Sequence, residues 1–419
     1  VSIKDSADRY PLLRSRAFVG FWAADSVSMF GTYITAQALQ LLAVETLDAA
    51  PLELGILRAA QWLPYLLLGL LAGVLIDRQR RKPILVGADL IRAAVLALIP
   101  LAALLHALTM PLLIGLVLVF GAVSLLYDAA HQSFLPSLVP ARLLTQANIR
   151  LEQSSAVAQV AGQGIAGWLI KFVGPPTAIL VDAVSYLISG VVLANLRVVE
   201  HKPTREVRNV RAEIGEGLRW VYGHSALGPL APSSHAWFFF TSMVSALYAY
   251  YVVKDLGFDA AAHGMTLTIG GLGAVIGSAL ATKIGTRFEV GPAVIATHWL
   301  SPAGYALIPL AHNGASAFVI LCAGQFLFWL SVGSTSPLEM GYCQSVTPDH
   351  LLGRRSAITR SLNRGAIVLG APLGGLLATT FSVQTAMWIA VAGLTLSVAA
   401  LTASPFRHAR LPIAHADGV

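Results

Sequence analysis

The stretch GVLIDRQRRKPILVGADLIR, Gly73 to Arg92, sets Asp77, Arg78, Arg80, Arg81 and Lys82 between two apolar runs, residues 54–76 and 83–106. Each run supplies the ~20 apolar residues that carry a helix across the hydrocarbon of a bilayer. Lys and Arg resist translocation, so a basic cluster between two spans marks a hairpin on the cytoplasmic side. That hairpin fixes the direction of every span around it.

Counting outward from it gives twelve spans. They cover residues 17–44, 54–76, 83–106, 111–133, 151–172 and 177–196 in the first half. In the second half they cover 229–253, 262–283, 291–311, 315–339, 356–381 and 385–403. Both termini are expected in the cytoplasm. Of 28 Lys and Arg residues, only Lys171 and Lys254 fall in expected outer loops, with Arg58 in the outer part of the second span. Losing one span would invert half the chain and destroy that asymmetry.

Composition agrees. The chain of 419 residues is 56% hydrophobic and 12% charged, against about 25% charged residues in soluble domains. The net charge of +7 is read as the topological signal of the loops, not as a nucleic-acid surface. Cys322 in a span and Cys343 in a cytoplasmic loop do not suggest a disulfide. The first apolar run has no cleavable-leader pattern, and no GxxxxGK[ST] phosphate loop is present. ATP is therefore not the expected energy source.

The two halves resemble each other. Pro140-x-x-Leu143-Leu144 recurs as Pro348-x-x-Leu351-Leu352, and Gly162 and Gly167 recur as Gly370 and Gly375. The longest polar stretch runs from Arg197 to about Leu227, and RAEIGEGLRWVYGH within it has the periodicity of a helix lying along the inner membrane face. The expected organisation is a first bundle over 1–198, a linker over 199–227 and a second bundle over 228–419.

The hairpin spacing G-x-L-x-D-R-x-x-R-K, here Gly73, Leu75, Asp77, Arg78, Arg81 and Lys82, resembles the loop between the second and third helices of major facilitator superfamily transporters. Arg80 stands where that pattern usually has Gly. Asp89-x-x-Arg92, FLPSLVP, EGLRWVYGH and APLGG in the eleventh span resemble the drug-exporter branch of macrolide and enterobactin exporters. The resemblance covers about residues 10 to 405. It implies an all-α membrane protein of two six-helix bundles, a parallel repeat, exporting a small amphiphilic compound (a drug, natural product or siderophore) by proton antiport through alternating access. It also implies a bacterial inner membrane, no cofactor beyond the proton gradient, and a monomer whose partners are its small-molecule substrate and the lipid bilayer. A lysophospholipid flippase or an importer of the same fold is the alternative. A membrane-embedded enzyme would need converging catalytic groups, and none stand out.

Ionisable residues inside spans are functional candidates because an unpaired charge there costs several kcal/mol. Asp25 lies roughly 13 Å along the first helix from Arg16, at ~1.5 Å per residue. Ser28, Thr32 and Thr35 follow it on one face. By the resemblance, in which the first helix faces the central cavity, that stripe is expected to form a water-accessible wall on which Asp25 loads and releases a proton. The exporter branch often has an acid beside Gly31, where this chain has Thr32. Arg58 is expected to pair with a carboxylate or to snorkel. By the resemblance, Asp77, Arg78, Arg81, Asp89, Arg92 and Asp128 form a cytoplasmic latch. Asp182 and Glu339 are expected to be structural. By the resemblance, in which the first, fourth, seventh and tenth helices line the cavity, Trp237, Tyr248, Gln325 and Trp329 are expected on an aromatic wall suited to bulky amphiphiles. No histidine has metal-ligand spacing, and His131, His235 and His298 are expected in structural or loop roles.

Overall fold

The computed structural model describes residues 11–76, 79–196, 198, 210–312 and 314–411. Among them the chain is helical, and no strand occurs. The first half contributes α1 (Arg16–Leu41), α2 (Pro51–Ile76), α3 (Arg81–Leu104), α4 (Met110–Leu138), α5 (Leu144–Val173) and α6 (Pro175–Asn195). A short helix, α7 (Val210–Gly223), lies in the polar stretch between the halves. There follow α8 (Leu227–Tyr250), α9 (Ala260–Arg287), α10 (Val290–His298), α11 (Leu300–Leu310), α12 (Ala315–Val346), α13 (Asp349–Thr380) and α14 (Val383–Ala403). Nine described segments are long and apolar enough to cross a membrane.

The helix boundaries have local causes. Ser15, Thr109 and Ser382 cap α1, α4 and α14, each accepting a bond from a first-turn N–H. Gly174 ends α5 at φ 80° and Pro175 opens α6, the usual division of labour between those residues. The ninth span, expected as one helix, is two. Pro302 has no N–H to give the carbonyl of His298, and its ring crowds that turn, so the helix breaks at Trp299.

Contacts divide the chain into two compact units. The first gathers α1, α2 from Leu63 onward, α3 to α6 and Asp259–Gly264. The second gathers Ala50–Trp62, α7, α8 to Phe258 and the described residues from Met265 onward. In the first unit α6 packs on α1 and α3, α1 on α5, and α3 on α4. In the second, α8 packs on α13 and α14, and α12 on α10 and α11. Helix α7 docks on α13, where Gly217 meets Ile358 and Arg354 pairs with Glu216.

The repeated motifs do the same work twice. Leu143 N–H bonds the Pro140 carbonyl (2.9 Å) as Leu351 N–H bonds that of Pro348 (2.8 Å), starting α5 and α13 alike. A Cβ on Gly167 would meet the Ala260 carbonyl at 2.7 Å and Gly264 Cα at 2.9 Å. A Cβ on Gly375 would meet the Pro51 carbonyl, and Leu52 Cα at 2.7 Å. In each unit, then, a glycine admits the start of another helix at backbone contact.

That start is clamped in the first unit by Asp259, whose Oδ1 accepts from Ala262 N–H (2.8 Å) and whose Oδ2 pairs with Lys171 (2.8 Å). The Lys171 bond first, then the Ala262 bond, holds the Asp259 carboxyl below the usual carboxylate range. Because the folded value is the lower one, this stabilisation is present above the unfolded pKa of about 3.9 and is lost as pH falls through the folded value. Asp259→Ala is expected to cost about 1 kcal/mol at neutral pH. Amide exchange in the first turn of α9 should rise accordingly at pH 7, and the difference should close in acid.

Candidate functional site

The interior of the first unit is polar. Asp25, Ser28 and Thr35 on α1 are buried, Asp25 to 4% exposure, so of the expected water-accessible stripe Thr32 alone is exposed. What covers Asp25 is α4. His131 Nε2 lies 2.9 Å from Asp25 Oδ1, and the imidazole stacks on Phe21 (5.0 Å between centroids) and on Tyr127 (5.6 Å). Of the structural or loop role expected of His131, the loop is excluded: the residue lies within α4, against Asp25 of α1. The two residues sit on helices far apart in sequence, and no local spacing announces the pairing.

One layer further, Asp89 and Arg92 pair on consecutive turns of α3. Asp89 Oδ2 accepts from Ser189 Oγ of α6 (2.7 Å). The Arg92 guanidinium lies 3.8 Å from the Tyr127 ring centroid and 4.1 Å from that of Tyr186. Such flat cation–π contacts suit a guanidinium removed from water. The Tyr186 hydroxyl is 2.9 Å from that of Thr32.

The acid that Thr32 does not supply stands beside Gly31 all the same. Asp182, wholly buried on α6, occupies the space a Gly31 side chain would need. Its Oδ1 accepts from Ser185 Oγ (2.8 Å). Asp182 was expected to be structural. Its position places a third carboxylate among the charges of this unit.

The expected latch is divided. Asp77 and Arg78 lie outside the described residues. Arg81 opens α3, roughly 12 Å of helical rise before Asp89. Asp89 and Arg92 are turned into the unit's interior, not toward the loop. Asp128 is on the exposed side of α4 and accepts from Tyr65 Oη (2.7 Å). The reason is helical: neighbours in sequence point about 100° apart, so Tyr127 faces Arg92 and Asp128 cannot. Lys82 caps α6, donating to the carbonyls of Ala194 (2.8 Å) and Leu196 (2.7 Å).

The second unit is aromatic where the first is charged. Tyr305 stacks on Phe328 (3.9 Å between centroids), Phe328 on Trp237 (5.8 Å), and Trp329 meets Phe328 edge-on (5.7 Å). Trp237 Nε1 donates to Ser301 Oγ (3.1 Å). Tyr248 and Gln325 are buried, and Tyr248 Oη donates to Thr266 Oγ1 (2.7 Å). Both were expected on a cavity wall. Tyr248 is instead part of the core, because α9 and α12 approach through Gly270, Gly273 and Gly277 closely enough to seal it. Trp237 and Trp329 are partly buried against that core. Arg58, also in this unit, donates to Gln61 Oε1 (3.2 Å) and lies 5.9 Å from the Trp62 ring centroid. Arg364 lies 3.9 Å from the same centroid. Arg58 thus neither pairs with a carboxylate among the described residues nor stands free in solvent.

A helical fold with nine apolar segments of membrane-spanning length and paired motifs is that of a multi-pass membrane protein. Residues 7–415 match the family described as transmembrane secretion effector, and the chain belongs to that family, within the major facilitator superfamily. It is similar to macrolide efflux protein A of Streptococcus pyogenes, 23% identical over 90% of this chain and 92% of that one. It is similar also to multidrug efflux pump Tap of Mycolicibacterium fortuitum, 26% identical over 83% and 86%. Two solved structures share the fold. The nucleoside transporter NupG matches with TM-score 0.75 at 11% identity, over 93% of this chain and 98% of that one. A bacterial homologue of the iron transporter ferroportin, in an inward-facing state, matches with TM-score 0.74 at 15% identity, over 93% and 98%.

Proposed function

We propose that this protein exports a small amphiphilic organic compound across the bacterial inner membrane by proton antiport, with α2, α13 and the broken pair α10 and α11 as spans beside the nine. The observation that carries the reading is the Asp25–His131 contact, an acid and a base 2.9 Å apart inside a membrane-embedded unit. A proton arriving at either group changes the charge of the pair, and an ion pair drawn largely out of water resists separation while a neutralised one does not. Release of that pair is the step that couples protonation to alternating access. Asp89–Arg92 and Asp182 lie next to it and form the charge environment that the proton meets. The latch role falls to Asp128 with Asp77, Arg78 and Arg81. The efflux relatives support the outward direction.

Inverted membrane vesicles with an imposed proton gradient test this. Wild type is expected to take up dye or drug in proportion to the gradient. Asp25→Asn is expected to lose gradient-dependent uptake, and His131→Gln, which removes the group facing Asp25, is expected to reduce it. Undiminished gradient-dependent uptake by Asp25→Asn would move coupling to Asp182 or Asp89.

A further inference from the structure

We propose that Asp182 and Thr35 hold a sodium ion between α6 and α1 of the first unit. The inference goes beyond the transport reading, since binding of the ion needs neither a gradient nor a substrate. Asp182 is wholly buried, and Thr35 is 2% exposed. Asp182 Oδ2 and Thr35 Oγ1 each lack a hydrogen-bond partner among the described residues. The two belong to one group. Asp182 fills the space beside Gly31, and Thr35 lies one turn further along the same face of α1, with its hydroxyl next to the Asp182 carboxyl. Ser185 Oγ completes the group: it donates to Asp182 Oδ1 (2.8 Å) and stands 2.6 Å from where a Gly31 Cβ would sit.

Two neighbouring oxygens buried without partners are costly, and no hydrogen bond of normal geometry joins them. A proton on Oδ2 would still need a well-aligned acceptor, because hydrogen bonds are directional. A cation between two oxygens makes no such demand. Charge points the same way. Arg92 pairs with Asp89 and His131 faces Asp25, so the Asp182 carboxyl is bonded only by a hydroxyl. Even with the His131 imidazole charged, Asp25, Asp89 and Asp182 outnumber Arg92 and His131 by one. Oxygen ligands suit a hard cation. No group of three or more His, Cys, Asp or Glu gathers among the described residues to hold a transition metal. A single carboxylate with neutral hydroxyls matches a single positive charge, whereas Ca²⁺ collects more ligands and Mg²⁺ keeps its waters.

The test uses the full chain in phosphatidylcholine nanodiscs at mildly alkaline pH, titrated with sodium chloride while choline chloride holds the ionic strength constant. Melting temperature reads the binding, because a ligand of the folded state raises it by mass action. Wild type is expected to show a saturable rise with sodium that choline does not give. The rise should vanish in Asp182→Asn. In Thr35→Val, half-saturation should weaken by about tenfold, the scale of one lost charge-assisted contact. Thr35→Ser keeps the oxygen and should stay near wild type. Melting in choline alone establishes which variants are folded. Thr35→Val against Thr35→Ser keeps the test decisive should Asp182→Asn fail to fold. No sodium response in wild type, or an undiminished response in folded Asp182→Asn and Thr35→Val, overturns the proposal. A melting temperature that rises with acid and ignores sodium also overturns it, and assigns the Asp182 charge to a proton. A sodium response kept in Asp182→Asn but lost in Asp25→Asn overturns it too, by moving the ion to the other acid.

Discussion

Asp89→Leu is expected to destabilise the fold by about 3–5 kcal/mol, and adding Arg92→Met to it to restore most of that loss. The single variant strands Arg92 at 5% exposure between two tyrosine rings, with no route for its charge to reach water. It also leaves Ser189 without its carboxylate acceptor. The double variant removes both charges, and a pair of apolar side chains of similar volume fits the same space without desolvating anything. Thermal unfolding of the detergent-solubilised protein, followed by loss of the monodisperse species, reads the difference. Coincident melting of wild type and Asp89→Leu would mean that the pair is hydrated in solution and contributes no buried electrostatics.

The second large effect is a contrast between two glycines. Gly375→Ala is expected to destabilise by about 1–3 kcal/mol, the range for overpacking a close-packed contact. Its new methyl group meets the backbone at Pro51 and Leu52, which cannot rotate away as a side chain would. Gly87→Ala on α3 is expected to stabilise by about 0.5–1 kcal/mol, because a Cβ there meets no atom within 4 Å and the helix loses its most flexible residue. The same melting experiment decides both. If Gly375→Ala also stabilised, the close approach of the Ala50–Trp62 segment to α13 would not exist in solution.

The helical membrane fold was legible in the sequence because apolar run length and the distribution of Lys and Arg act over whole segments, where a few misplaced residues change nothing. Asp25 was legible as a candidate for the same reason, since a lone charge in an apolar run is conspicuous. Its partner was not. His131 is an ordinary histidine near the end of an apolar run, and only the packing of α4 on α1 makes it the group facing Asp25. Asp182 shows the converse. The sequence offered an acid beside Gly31 as a property of the branch and found Thr32, while the fold brings the carboxylate in from α6. Tyr248 and Gln325 were placed on a cavity wall by helix number alone. What buried them is the glycine-lined contact of α9 with α12, which fixes how far each helix is rotated. Run length and charge fix which segments are helices, and small residues at contacts fix which faces meet.

The π-helical turns that end α1 and α8 carry one more consequence. Leu42–Thr46 and Tyr251–Asp255 make the same widened turn, closed by Leu47 N–H to Leu42 O (3.2 Å) and by Leu256 N–H to Tyr251 O (3.0 Å). Each is followed two residues on by a left-handed residue, Asp48 at φ 49° and Gly257 at φ 71°. Little in LAVET and YVVKD would have aligned them. A turn that recurs where the letters differ supplies a ruler for comparing the two halves. The shift that carries Leu42 to Tyr251 carries Asp25 to Ser234, whose hydroxyl accepts from Asn363 (3.2 Å) in place of any charge. At the matching turn, then, the first half holds an acid and the second a neutral hydroxyl, so the two halves share a turn and differ in chemistry.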